Sequence, residues 1–246
     1  RLQGELVDWR PAEPVAPSAP IWVSGRHVVD WRRAHQADDL LDRLRAQYGE
    51  GLVIWAEGAE GGIAGGVSRS EMKRDGLALA ILTTPPGPDA LVWALARVRP
   101  QWVYLLPPLP VAALGARAFV AKVAGMLQVA LADDAGSVDT LRMAARLGAR
   151  EGAVVAALRV LEAAETIRLS HADGEWLAKA VRSPSLRVDV AGEVVTGEGA
   201  RRQRTGALRR AGSALAYLLR ETTAYHKAYP GLSVEELLDV GADPGG

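Results

Sequence analysis

Leu77-Ala-Leu-Ala-Ile-Leu82 is an unbroken apolar run, and the residues after it decide the fold. Pro85-Pro86 halts the run, Asp89 can cap a helix, and Leu91, Leu95 and Val98 form one stripe at helical spacing. Pro100 closes that helix, and Trp102-Val-Tyr-Leu-Leu106 is a second apolar run. A strand that shows no alternation is buried on both faces, so this order predicts a parallel sheet covered by helices on each side.

The same pattern extends upstream. Leu52-Val53-Ile54-Trp55 is another short strand, and Asp38 to Tyr48 places Leu40, Leu41, Leu44 and Tyr48 on one helical face before a stop at Gly49. Ile21-Trp22-Val23 is a strand ending at Ser24-Gly25, and Ser68 to Arg74 is a short helix. Residues 1–20, proline-rich from Pro11 to Pro20, form a lead-in, so residues 21–110 are expected to make a Rossmann-like parallel α/β lobe.

Downstream the pattern changes. An alanine-rich stretch, residues 111–130, predicts a connecting helix. Ser137 to Leu147 then predicts one helix, Gly148-Ala149 a turn, and Arg150 to Ala164 a second helix with Val154, Val155, Leu158 and Leu161 inward. Thr166 to Ser170, a turn at His171 to Gly174, and a return at Glu175 to Leu177 complete a hairpin. Helix, turn, helix and hairpin describe a winged-helix-like α+β lobe. With a last helix over Ala207 to Lys227 and a turn at Val234 to Leu238, it is expected to occupy residues 131–246.

Composition narrows the function. Lys+Arg and Asp+Glu both number 29, so no long-range field draws in nucleic acid and any attraction must come from a local patch. The chain has no cysteine, which removes disulfides and thiolate chemistry and fits a reducing cytoplasm. No apolar run approaches the ~20 residues of a membrane span, and a soluble, cytoplasmic protein is expected. There are four lysines among 29 basic residues, Phe119 is the single phenylalanine, and asparagine is absent, a bias typical of GC-rich coding. The opening at Arg1 leads us to expect a longer parent with its catalytic part upstream.

Most candidate sites have a plainer explanation. Gly58 to Gly66 follows a strand, as a phosphate-cradling loop would, but it lacks dinucleotide-fingerprint spacing and a Gly-Lys-Ser/Thr ending, so a flexible connection is expected. His27, His35, His171 and His226 are scattered without ligand spacing, and no metal or other cofactor is expected in this chain. Asp38-Asp39 and Asp133-Asp134 sit where acids favour a helix dipole. Ser24, Ser137 and Ser213 lack a nucleophile elbow. The helix over Arg150 to Glu165 mixes Arg150 and Arg159 with Glu151, Glu162 and Glu165, a poor surface for entering a duplex groove. One local charge concentration remains. Arg201, Arg202, Arg204, Arg209 and Arg210 form a stretch without an acid, and Leu208, Leu215, Tyr217 and Leu218 lie close by. Such a set can be a solvated helix start, a grip on single-stranded DNA phosphates, or the rim of a pocket for an acidic peptide with an apolar anchor, with Leu208 and Tyr217 lining it.

Taken in order, several segments resemble the C-terminal accessory region of bacterial RecJ, the 5′-to-3′ single-strand-specific exonuclease of the Asp-His-His family. They are Leu6-Val7-Asp8-Trp9-Arg10, Leu77 to Pro86 with the Asp89 helix and Trp102 to Leu106, and Leu158-Arg159-Val160-Leu161-Glu162 leading through Ile167 to Asp173-Gly174. Thr83-Thr84 depart from the acidic residue expected before the prolines, and the Asp-His-His cluster itself is absent. The resemblance implies that two-metal hydrolysis with Mg or Mn belongs to a catalytic core outside this chain. It also implies a non-enzymatic role in recombinational repair: docking the acidic C-terminal tail of single-stranded-DNA-binding protein, or alternatively clamping single-stranded DNA directly.

Overall fold

The structure, a computed structural model, describes residues 19–34, 37–58, 65–132, 137–172, 175–181 and 198–238, without the side chains of residues 37, 172 and 198–204. The first sheet contains β1 (Ile21–Val23), β2 (Arg26–Asp30), β3 (Leu52–Trp55), β4 (Ala78–Thr83) and β5 (Trp102–Leu109), ordered β1-β2-β5-β4-β3. Strands β2, β5, β4 and β3 run parallel, and β1 adds to the edge as an antiparallel hairpin.

Alternation of side chains along these strands sends neighbours to opposite faces. Leu79, Ile81, Val103 and Leu105 meet helix α2 (Pro88–Val98) through Leu91, Ala94, Leu95 and Val98. Ala78, Ala80, Leu82, Tyr104 and Leu106 meet helix α1 (Ala37–Tyr48) through Leu41 and Leu44. All six β4 residues are buried, which is why Ala78–Leu82 carry no polar side chain, and the one polar residue, Thr83, has its hydroxyl accept the Glu57 N–H. Proline at the start of α2 and left-handed Arg99 at its end set the bounds of that helix.

The strand at Ile21–Val23 ends at Ser24-Gly25 as expected, and these two residues, both with positive φ, form a two-residue turn from which an unforeseen strand, β2, returns. One expectation is corrected here. The short helix over Ser68 to Arg74 is only a 3-10 turn at Arg69–Glu71, closed by the Ser68/Glu71 capping box.

The remaining elements are α3 (Ala116–Ala132), β6 (Ser137–Val138), α4 (Thr140–Leu147), α5 (Glu151–Ala163), β7 (Ile167–Ala172), β8 (Glu175–Ala180), α6 (Glu198–Ala228) and α7 (Val234–Leu238). Strands β6, β8 and β7 form an antiparallel sheet in that order. The single helix expected over Ser137 to Leu147 is divided, because the Asp139 carboxylate accepts the Arg142 backbone N–H at 2.8 Å and starts α4 there. Ser137-Val138 is thereby left to pair with β8.

Packing also crosses the expected boundaries. Helix α3 is more than a connector, since Phe119, Val120, Val123 and Leu127 share a core with Met143, Val154, Leu158, Leu161 and Leu215. Helix α6 packs on α5 and then carries the chain back to the first sheet. There Tyr229, Val234, Leu237 and Leu238 complete the core beside α2. Residues 131–238 therefore contribute to both cores. Among the described residues, no helix is long and apolar enough to cross a membrane.

Candidate functional site

The backbone of Arg201, Arg202 and Arg204 lies within α6, but their side chains are outside the described set. Arg209 and Arg210 are exposed on the next turns, and Leu208 is half-buried. Leu215 is 1% exposed, and Leu218 packs against the same core, so these leucines serve the inward face of the helix. Tyr217 is 54% exposed. Its hydroxyl donates to Glu221 at 2.6 Å, and this bond, with the Glu221 charge, raises the phenol's pKa. Glu221 in turn accepts from Arg150 at 3.0 Å. Neither of the two best-formed cavities among the described residues is lined by Leu208, Arg209, Arg210 or Tyr217.

The larger cavity, about 210 Å³, lies where the two packing units meet. Its floor begins at the end of β3, where Glu57 is 3% exposed. Arg69 Nε reaches both Glu57 carboxylate oxygens, at 2.8 and 2.9 Å, and Trp55 Nε1 donates to the same carboxylate at 2.9 Å. Arg69 Nη2 also donates to the Ala149 carbonyl at 2.7 Å, crossing to the loop between α4 and α5. Gly58 seals the junction: its φ is +63°, its N–H donates to the Ala145 carbonyl, and a Cβ there would lie 2.7 Å from the Gly148 Cα. Facing this floor are Ser68, Ser70 and Glu71 from the 3-10 turn, and Arg142 and Arg146 from α4. The Gly58-to-Gly66 segment gave the only sequence signal for this place. The arginines escaped notice because they lie more than 70 residues away in the chain.

A second charged contact was also invisible in the sequence. Arg32 is 8% exposed and holds Asp30 through two bonds, Nε to Oδ1 at 2.9 Å and Nη2 to Oδ2 at 2.7 Å. Burial works to raise the Asp30 pKa, but the hydrogen bonds and charge of Arg32 prevail and hold it below the ordinary value. The guanidinium also donates to the carbonyls of Tyr229 and Leu232, while its carbon sits 5.3 Å from the Tyr229 ring centroid. His226 is bonded to the backbone of Pro85, just after β4. Residues 226–232 thus lie against the carboxyl ends of β2 and β4, the place where open parallel sheets commonly hold ligands.

Of the four histidines, His27 stacks on Trp102, His171 leans on Trp176, His226 is part of this junction, and His35 is outside the described residues. The described residues contain no group of three or more metal-ligating side chains. Asp133-Asp134 and the Asp173-Gly174 turn also fall outside them, as does Leu6 to Arg10. Compared with protein families, curated proteins and solved structures, the chain matches none.

Proposed function

We propose that this chain is a non-catalytic binding region working with a RecJ-like 5′-to-3′ single-strand exonuclease in the cytoplasm, and that α6 holds its anionic partner. The supporting observation is the charge of that helix. Over residues 198–228 the basic residues are Arg201, Arg202, Arg204, Arg209, Arg210, Arg220 and Lys227, against only Glu198 and Glu221, in a chain of zero net charge. Glu221 is already engaged by Arg150. The partner implied by the resemblance is the acidic C-terminal tail of single-stranded-DNA-binding protein. Metal-dependent hydrolysis, with Mg or Mn, is assigned to a catalytic core outside these residues.

The finer fold reading belongs to the same proposal. Four parallel strands with helices on both faces support a Rossmann-like first lobe, and the order α3-β6-α4-α5-β7-β8 supports a winged-helix-like second one. Helix α5 occupies the position of a groove-reading helix, yet α6 packs along it, with Leu218 near Gly152. That arrangement favours a scaffold over a duplex reader.

Exposed Tyr217, about two helical turns beyond Arg209 and Arg210, favours the second reading, a direct single-strand clamp, because base stacking needs a ring face in solvent. Two probes separate the readings: a labelled acidic peptide with an apolar end, and oligothymidylate. For the clamp, Arg209→Ala with Arg210→Ala lowers the salt dependence of binding by about 0.7 in log–log slope per lost phosphate contact. For docking, the peptide binds and loses affinity when its terminal apolar residue is removed. Failure of both probes to bind, or binding unchanged by the arginine substitutions, overturns the assignment of α6.

A further inference from the structure

The cavity between the two packing units has a chemistry of its own. Arg142 and Arg146 stand four residues apart on α4, so both guanidinium groups leave one face of the helix and reach the same space. Both side chains are exposed, and neither guanidinium has a hydrogen-bond or ion-pair partner among the described residues. Like charges at this spacing repel, and an anion between them relieves that repulsion.

On the opposite wall one of the two acids is already balanced. Glu57 is neutralised by Arg69, which leaves Glu71 as the single uncompensated acid facing two arginines. Glu71 is held by the Ser68 hydroxyl at 2.9 Å and the Ser68 backbone N–H at 3.3 Å. Those bonds, and then the charges of Arg142 and Arg146, lower its pKa, so the arginine field does reach this wall. Ser70 Oγ lies 2.9 Å from Ser68 Oγ; Glu71 holds the Ser68 proton, and the Ser70 hydroxyl is the one that can turn its proton toward an acceptor. The lining therefore carries one net positive charge, with the Ser70 hydroxyl as a donor opposite the guanidinium groups. The volume of about 210 Å³ suits a single tetrahedral oxyanion with its attached carbon, because sites for drug-sized ligands run to roughly 300–1,000 Å³.

We propose that this cavity binds the phosphate group of a phosphoester, held by Arg142 and Arg146 on one side and by the Ser70 hydroxyl on the other. Planar guanidinium forks match phosphate oxygens in pairs, and two of them on one helix face fix the group in position. The sequence from Gly58 to Gly66 after β3 lacks the lysine of a nucleotide loop, and α4 supplies the cations instead. This site is separate from α6 and stands without the reading given above. The phosphate belongs either to a free phosphoester or to a nucleic-acid backbone.

The test is titration of the whole chain with inorganic phosphate, read from the arginine Nε–H and backbone amide signals by NMR, against sodium chloride at equal ionic strength. Saturable shifts confined to residues 56–58, 66–71 and 142–146 are expected. Arg142→Gln with Arg146→Gln weakens binding by about tenfold or more, while E71Q, which keeps the capping bonds, strengthens it. Displacement of phosphate by a nucleoside monophosphate identifies a free phosphoester as the ligand, and displacement by oligothymidylate identifies a backbone. Shifts that chloride reproduces, or phosphate affinity unaltered in the double arginine variant, overturn the proposal. An E71Q variant that binds phosphate no better argues the same way.

Discussion

Arg69 and Glu57 show how far a single residue's role can lie from anything its neighbours in sequence reveal. Their side chains are 5% and 1% exposed, so each charge has given up water and depends on the other. Replacing Arg69 by alanine leaves a buried carboxylate with only Trp55 and backbone donors, and destabilisation of about 3–5 kcal/mol is expected. Urea unfolding of Arg69→Ala, Glu57→Gln and the double variant checks this, and the double variant should lose less than the sum of the singles. In the sequence both residues sit in polar connections around a glycine-rich turn, where charged residues are ordinarily solvated. Arg32 is hidden for the same reason, since its carbonyl partners lie about 200 residues later. A buried ion pair has no periodicity, so pattern reading passes over it.

Elements were far more legible than residues, and the failures are instructive. Strands β3, β4 and β5, with helices α1 and α2, follow directly from apolar runs and stripes because burial on both sheet faces leaves little room for polar residues. Strand β2 begins with Arg26 and His27, whose polarity masked an inner strand, although Val28 and Val29 are each buried on opposite faces. Asp139 was the missed signal in Ser137 to Leu147. A side-chain cap outweighs the continuous helical pattern around it, because it satisfies a backbone donor that would otherwise be orphaned. Asp139→Ala should cost about 1 kcal/mol, and Asp139→Asn close to nothing, by urea unfolding. Gly58→Ala is the harsher local change. It combines a left-handed backbone with a Cβ against Gly148, so a loss larger than the roughly 1 kcal/mol typical of glycine replacement at such a conformation is expected in the same assay.

At the scale of the whole molecule, a mixed α/β fold with a mostly parallel sheet agrees with expectation, and residues 229–238 join the core of that sheet. Nothing in the composition of residues 229–238 marks them as part of the first core. Their leucines and valine fit any amphipathic turn, and only the arrival of α6 at the sheet decides which surface they cover. The junction so made is sensitive to protons. His226 is half-buried, with Nε2 unpartnered, and burial lowers its pKa despite the bond to Pro85. The charged groups that act on the neighbouring Tyr225 are Arg32, paired with Asp30, and Asp89, paired with Arg150. A histidine with a depressed folded pKa binds fewer protons folded than unfolded. Its contribution is therefore complete above the unfolded value of 6.5 and declines as pH falls from there through the folded value. Asp30 is also depressed, but the stability it adds is present above its ordinary value of 3.8 and is lost only in more acidic solution. The two windows do not overlap, so urea midpoints between pH 8 and pH 5 isolate the histidine. The wild-type midpoint should fall across that range, and His226→Gln, which retains a donor for the Pro85 carbonyl but takes up no proton, should flatten the profile. Protection of residues 229–238 against hydrogen exchange, taken relative to the intrinsic rate at each pH, should fall with the same pH dependence, because these residues follow His226 directly onto the sheet.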